Sequence, residues 1–61
     1  SKKDAMSVEE LRRRMAAHNI ANGNQLSERL DIYRSTVSRW LNGDRRINRF
    51  AAATIRSKLP L

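Results

Sequence analysis

Two short helical patterns separated by a tight turn occupy residues 24–43. The first covers about 24–30 and the second about 34–41, and each carries apolar residues three or four positions apart, as one face of a helix requires. These inward positions are Leu26, Leu30, Val37, Trp40 and Leu41. Asn42-Gly43 ends the second pattern, because glycine accepts the left-handed conformation that closes a helix. We therefore expect two helices that cross and bury a shared apolar contact.

Two further helices flank this pair, and both have recognisable starts. Ser7, with Glu10 three residues later, forms a capping box that predicts a helix over about 8–17. Asn48 is placed to cap a last helix over about 49–58. The positions expected to face the core are Val8, Leu11 and Met15 in the first of these helices and Phe50, Ala51, Thr54, Ile55 and Leu59 in the last.

The fold class that follows is all-α, a compact domain of four helices, or five, with a helix-turn-helix, over residues 7–61. Residues 1–6 are expected to form a flexible N-terminal segment. Sixty-one residues make one domain with a small core, and the absence of cysteine excludes disulfides and thiolate metal sites. No apolar run is long enough to span a membrane and no signal peptide is recognisable, so the cytoplasm is the expected compartment.

The sequence does not indicate catalysis or a cofactor. Glu9, Glu10 and Glu28 have no partner nucleophile, and a chain this small offers little concave volume for a substrate. His18 is the single histidine, so no metal site is expected. We therefore expect a non-catalytic protein that binds neither a cofactor nor a small-molecule ligand.

The charge of the chain points to a polyanionic partner. Thirteen lysines and arginines stand against six acidic residues, which gives a formal net charge of +7. Ten of the thirteen are arginine, whose planar fork of donors suits phosphates and guanine edges. Charge alone does not separate DNA from RNA or from an anionic membrane surface.

A helix pair that reads DNA needs a small residue where the helices cross and a sharp turn between them. Ser27 stands at the crossing and Asp31 at the turn, where a positive φ is usual and Asp tolerates it better than most residues. The run LSERLDI from Leu26 and the run STVSRWLNG from Ser35 resemble the Cro/C1-type repressor family, the phage and bacterial regulators with a lambda-repressor-like helical domain. The resemblance implies that the second helix of the pair enters the major groove of double-stranded DNA.

The same resemblance indicates which residues read the bases. It puts Arg34, Ser35 and Arg39 where the family's helix reaches base edges, with Tyr33 and Ser38 beside them. An arginine bonded to O6 and N7 of guanine contributes about 1–3 kcal/mol of discrimination. These five residues are the predicted base contacts.

The sequence departs from the family's pattern in three places. Asp31 replaces the usual turn glycine, which predicts a slightly strained turn, and Tyr33 replaces a frequent Ser or Thr cap. One helix is predicted after Gly43, where many members of the family have two. C-terminal elements often form the family's dimer contacts. This last departure therefore affects which residues could form a dimer interface in this chain.

Phosphate contacts are predicted on both sides of the reading helix. Gln25 lies near the start of the first helix of the pair, where side chains and free N–H groups bind phosphate. Arg45, Arg46 and Arg49 form a basic loop after the second helix, where flanking phosphates would lie.

The function expected from this layout is that of a sequence-specific transcriptional regulator, a phage or bacterial repressor that occludes a promoter. One short helix reads too few base pairs to find a site in a genome, so a homodimer on a near-palindromic operator, with half-sites about 34 Å apart, is expected. The candidate dimer contacts are Phe50, Ile55, Leu59 and Leu61, which equally suit completion of the core.

Two alternatives stay open at this point. The chain could be the DNA-binding module of a recombinase, an excisionase or an antitoxin, with no repressor activity of its own. It could instead be a helical interaction or RNA-binding module that binds polyanions in general. The second alternative predicts an affinity that falls with salt and ignores sequence. The concentration of Arg34, Ser35 and Arg39 on one helix favours DNA reading over it.

Overall fold

The four predicted helices are present, and the all-α class with a helix-turn-helix is confirmed. The computed structural model describes residues 5–61, so residues 1–4 of the expected flexible segment lie outside the described residues. The helices are α1 (Val8–Ala17), α2 (Gly23–Leu30), α3 (Arg34–Asn42) and α4 (Arg49–Lys58). Within the described range, one antiparallel bridge between Met6 and Ile47 is the sole strand-like pairing.

Polar side chains start three of the helices. Ser7 and Asn48 each accept the backbone N–H of the residue three positions later, at 3.1 and 2.9 Å, as the sequence predicts. Asn22 caps α2, because its Oδ1 accepts the N–H of Gln25 at 3.0 Å. These bonds satisfy N–H groups that have no partner inside the helix, and they set where each helix begins.

One apolar core fills the space between the helices. Its members are Met6, Leu11, Met15, Ile20, Leu26, Leu30, Val37, Trp40, Ile47, Ala52, Ile55 and Leu59. The predicted inward face of α4 is wrong at Phe50, which is 71% exposed, and at Thr54, which is exposed as well. It also omits Ala52, which is fully buried. Ala52, Ile55 and Leu59 stand at i, i+3 and i+7 and form one stripe, whereas Phe50 lies on the opposite side of the helix.

Met6 belongs to the core although it was expected in the flexible segment. Its side chain is 5% exposed, and its N–H donates to Ile47 O at 3.3 Å. Ile47 is buried as well and lies in the loop between α3 and α4. The start of the described chain is therefore fastened to the basic loop.

α2 packs against both α3 and α4. Ser27 is buried on α2, and its hydroxyl donates to Asn24 O at 2.8 Å, so a small polar side chain is accommodated without an unpaired donor. At the other end of α2, Lys58 Nζ from α4 donates to Leu30 O at 3.3 Å. The carbonyl at the C-terminal end of α2 thus has a cationic partner.

Candidate nucleic-acid interface

The outward face of α3 carries the residues predicted to contact bases. Val37 and Trp40 of α3 are buried, which turns the opposite side of the helix to solvent. The predicted base-contacting residues are all exposed, and they are Tyr33, Arg34, Ser35, Ser38 and Arg39. Among the described residues, neither Arg34 nor Arg39 has a hydrogen-bond or ion-pair partner for its guanidinium. Their donors are therefore available to a ligand.

The turn before α3 has the strained conformation that the sequence predicts. Asp31 has φ 58° and ψ 48°, in the left-handed region, where an aspartate is tolerated better than most side chains. Tyr33 precedes the helix without making a side-chain cap, and its own side chain is 82% exposed. The first turn of α3 thus presents N–H groups that no side chain of the described residues satisfies.

The C-terminal end of α3 is closed tightly. Gly43 has φ 80° and ψ 8°, a left-handed conformation that costs glycine little. The N–H groups of Asp44 and Arg45 both donate to Arg39 O, at 2.9 and 3.2 Å. This closure fixes where the helix stops and where the basic loop begins.

Two arginines of α1 are committed to the fold. Arg12 Nη2 donates to Leu41 O at 3.3 Å, which ties α1 to the end of α3. Arg14 Nη1 donates to Leu59 O at 2.9 Å, and its guanidinium pairs with Glu10 at 3.0 Å. The run of arginines in α1 is therefore partly structural, in contrast to the unpartnered arginines of α3.

Glu10 is the acidic residue that links α1 to α4, and we call this ion-pair network the framework. Its carboxylate accepts from Arg56 of α4 at 3.2 Å and from Arg14 at 3.0 Å, and so joins α1 to α4. The hydrogen bond from Arg56 is the largest cause that lowers the pKa of Glu10 below its ordinary value. Desolvation, the next largest, opposes it, and the hydrogen bond from Arg14 adds to the lowering. Glu10 is thus paired with two arginines that lie outside α3.

A shallow groove runs between the start of α2 and the outward face of α3. It is lined by Asn22, Gly23, Asn24, Arg34, Ser35, Ser38, Leu41 and Asn42. Gln25, the predicted phosphate contact, is exposed near this end of α2, and its Oε1 accepts the N–H of Ala21 at 2.8 Å. Its amide NH₂ remains a donor, which is the group that a phosphate oxygen accepts from.

Asn42 belongs to this surface, although the sequence analysis treated it as a helix stop. It is exposed, lines the groove, and its Nδ2 donates to Ser38 Oγ at 3.4 Å. The signal was present in the spacing, since Asn42 stands four residues after Ser38 and seven after Ser35, on the same face of the helix. Because Asn42 precedes Gly43, the sequence analysis interpreted it only as the end of the helix.

The loop after α3 presents the three arginines predicted to contact phosphate. Arg45, Arg46 and Arg49 are all exposed. Ile47, buried between them, anchors the loop to the core. The guanidinium of Arg49 lies over the ring of Phe50, 5.1 Å from its centroid, a cation–π contact that keeps the charge at the surface.

The four residues predicted as dimer contacts divide into two pairs. Phe50 and Leu61 are 71% and 67% exposed. Ile55 and Leu59 are fully buried, so the prediction is corrected for them: they complete the core and offer no surface to a second chain. Ile55 and Leu59 are buried because they lie three and seven residues after Ala52, on the same side of α4, and not because they are more hydrophobic than Phe50 and Leu61.

No metal centre is formed by the described part of the chain, since it holds no group of three or more His, Cys, Asp or Glu side chains close enough to share an ion. His18 caps the end of α1, and its Nε2 lies 2.7 Å from Pro60 O. None of the helices between residues 5 and 61 has the length and apolar character that a membrane span requires.

Comparison with known protein families identifies the chain. No curated protein and no solved structure matches it. A family model described as the Cro/C1-type HTH DNA-binding domain matches residues 10–55, about three quarters of the chain. The matched region contains α2, α3, the turn between them and most of the two flanking helices. The chain therefore belongs to the Cro/C1-type helix-turn-helix DNA-binding family.

Proposed function

We propose that this protein is a sequence-specific transcriptional regulator whose α3 reads the major groove of DNA. The observation that carries the proposal is the outward face of α3, on which Arg34 and Arg39 project without a partner among the described residues. The major groove, about 12 Å wide, admits a helix, and its guanine edges offer two acceptors to one guanidinium. Ser35 and Ser38, on the same face, supply hydroxyls that either a base or a phosphate accepts.

The surroundings of α3 supply the contacts that hold such a helix in register. The N-terminal end of α2, with the exposed amide of Gln25, lies beside the outward face of α3, where a phosphate of the DNA backbone would lie. The exposed side chains of Arg45, Arg46 and Arg49 would contact phosphates of the DNA backbone on the other side of α3. In this arrangement the phosphate contacts position the protein, and α3 supplies the specificity.

The protein acts as a homodimer in this proposal, with Phe50 and Leu61 as the exposed apolar contacts that remain from the sequence prediction. The molecule is 28 Å in its longest dimension. Two copies side by side can therefore present their α3 helices to half-sites about 34 Å apart, one turn of DNA. A dimer bound across a promoter in a bacterial or phage-infected cell would repress by excluding polymerase.

Selection of bound sites from a random duplex library, at about 150 mM salt, tests the proposal, since that salt concentration suppresses sequence-independent binding. Enrichment of an inverted repeat with half-site centres about one turn apart is the expected result. A single enriched half-site would support sequence reading by α3 and reject the dimer. Binding at low salt without any enrichment would reject sequence reading and favour a general polyanion-binding module.

A further inference from the structure

An apolar cleft lies where the turn before α3 meets α3 and α4. Its volume is about 620 Å³, within the roughly 300–1,000 Å³ that small-molecule sites occupy. Three of the residues that line it, Leu30, Trp40 and Ile55, are buried members of the core, so the cleft reaches down to the core. A small-molecule ligand was not expected from the sequence, because so short a chain offers little concave volume. A cleft of this size removes that ground.

The charge of the apolar cleft differs from that of neighbouring concave surfaces. Three other grooves in the described part of the chain each include at least one arginine among their lining residues. The apolar cleft includes no arginine or lysine, and its single charged residue is Asp31. In a chain of formal net charge +7, it is therefore a place where a phosphate finds no cation to bind.

Asp31 is available to a ligand. It is exposed, and its carboxylate forms no hydrogen bond or ion pair with any residue between 5 and 61. Lys58 Nζ donates to the carbonyl oxygen of the neighbouring Leu30 at 3.3 Å and not to Asp31. A carboxylate without a partner accepts hydrogen bonds most strongly from a charged donor such as an ammonium group.

Two residues that line the apolar cleft are aromatic, Tyr33 and Trp40. Tyr33 is 82% exposed and stands at the rim, whereas Trp40 is buried and contributes to the deep part. The faces of aromatic rings attract cations, and sites for organic ammonium ligands are built from such rings. The cleft thus combines apolar walls, aromatic residues and one unpaired carboxylate.

We propose that the apolar cleft binds a small organic cation, whose ammonium group pairs with Asp31 and whose apolar body lies beside Trp40 and Ile55. The net positive charge of the chain does not prevent this binding, because charges more than about 8 Å apart are largely screened at physiological salt. The adjacent carboxylate then outweighs the distant arginines. A polycationic peptide would bring further charges against the arginines of the surface, so a small molecule with a single charge fits better.

Two-dimensional NMR tests the site, because a bound probe shifts the amide signals of the residues that it contacts. The probe is phenethylamine, an ammonium ion at neutral pH, and phenethyl alcohol is a neutral control of the same shape. We expect saturable shifts for Asp31, Thr36 and Ala51 and for the indole N–H of Trp40, the single tryptophan. The ammonium ion should bind roughly fivefold more tightly than the alcohol, the most that an exposed ion pair contributes. Equal affinities, or shifts confined to other parts of the molecule, would overturn the proposal.

Asp31→Asn tests the carboxylate, and asparagine tolerates the left-handed conformation of this position as aspartate does. We expect the affinity for the ammonium probe to fall roughly fivefold, to that of the alcohol, while the affinity for the alcohol stays the same. Asp44→Asn is the matched control, because Asp44 is exposed and does not line the cleft. It should leave both affinities unchanged. Equal losses in the two variants would reduce the effect to net charge and overturn the proposal, as would an unchanged affinity in Asp31→Asn.

The apolar cleft adjoins the predicted reading surface, since Thr36 and Trp40 belong to α3 and Tyr33 is a predicted base contact. A bound cation would offset the negative charge of Asp31, which repels DNA phosphates. With saturating ammonium probe at constant ionic strength, we therefore expect the affinity for a selected half-site to rise roughly two- to fivefold. This consequence rests on the proposed function, and an unchanged affinity, or an equal rise with the alcohol, would overturn it. If the wild-type protein shows no sequence preference, the proposed function fails, and the NMR titrations still decide the ligand site.

Discussion

Removing the side chain of Arg39 tests whether α3 reads bases. Arg39→Ala deletes an exposed guanidinium that has no partner among residues 5–61 and that precedes the buried Trp40 on α3. Because no intramolecular bond of this side chain is lost, the free energy of unfolding should stay within about 0.5 kcal/mol of wild type. The entire effect of the substitution should then appear in DNA binding.

The expected loss follows from the chemistry of the side chain. A guanidinium that bonds O6 and N7 of one guanine contributes about 1–3 kcal/mol of discrimination. On one half-site, the affinity of Arg39→Ala for its selected sequence should therefore fall roughly 5- to 150-fold. The loss should concentrate at one base-pair position, where the variant no longer distinguishes the four alternatives.

Titration of the wild type and the variant against a set of half-site duplexes, each changed at one position, provides the measurement. Arg29→Ala is the matched control, because Arg29 lies exposed on α2 and its removal takes away the same charge. The comparison should be repeated over a series of salt concentrations, since each lost phosphate contact lowers the salt slope by about 0.9. A base contact should leave that slope close to the control value.

Two results would refute this reasoning. An equal loss on every duplex, with a reduced salt slope, would make Arg39 a phosphate contact. A lowered melting temperature would show that Arg39 supports the fold and that its exposure on α3 does not measure its contribution to stability.

Three further substitutions test the framework around α3. Val37→Asp puts an unpaired charge at a fully buried position and should abolish cooperative thermal unfolding followed by circular dichroism; a wild-type melting curve would contradict that placement. Glu10→Gln should lower the free energy of unfolding by about 1 kcal/mol at pH 7. Since Arg56 and Arg14 lower the pKa of Glu10, its contribution is present above the unfolded-state pKa of about 4.3 and is lost as pH falls through the lower folded-state pKa. Denaturant titrations should show the difference in free energy of unfolding between wild type and Glu10→Gln disappearing at low pH. A constant difference down to pH 2 would refute the ion pair. Tyr33→Ser supplies the cap that α3 lacks and should raise stability by about 1 kcal/mol, whereas a lower melting temperature would mean that the tyrosine ring itself supports the fold.

The helices could be predicted from the sequence because their boundaries are set by local chemistry. Ser7 and Asn48 reach only three residues along the chain, and Gly43 closes α3 through its own backbone conformation. The exposed face of α3 was predictable for a related reason, since burial of Val37 and Trp40 turns the opposite side of a nine-residue helix to solvent.

The sequence could not show which residues meet across the fold. Met6 and Ile47 lie far apart in the chain, and nothing local marks either as the partner of the other. The α4 face was misjudged because an aromatic residue attracts more weight than an alanine, although helical phase buries Ala52 and exposes Phe50.

The arginines show the same limit. Arg12 finds its acceptor, Leu41 O, on another helix. By composition it cannot be distinguished from an arginine that faces DNA. Only the hydrogen bond from α1 to Leu41 O, at the end of α3, separates the two roles.

On the outer face of α3, the side chains of Arg34, Ser35 and Arg39 have no partner among residues 5–61, and this has an evolutionary consequence. Substitutions at Arg34, Ser35 or Arg39 remove no bond that supports the fold, so they escape the stability threshold that eliminates most mutations. A lineage of such proteins could exchange one operator for another by changing these positions alone. The framework centred on Glu10 would meanwhile stay under selection. Under the proposed function, recognition and folding would thus be inherited as separable traits, carried by different residues of the same short chain.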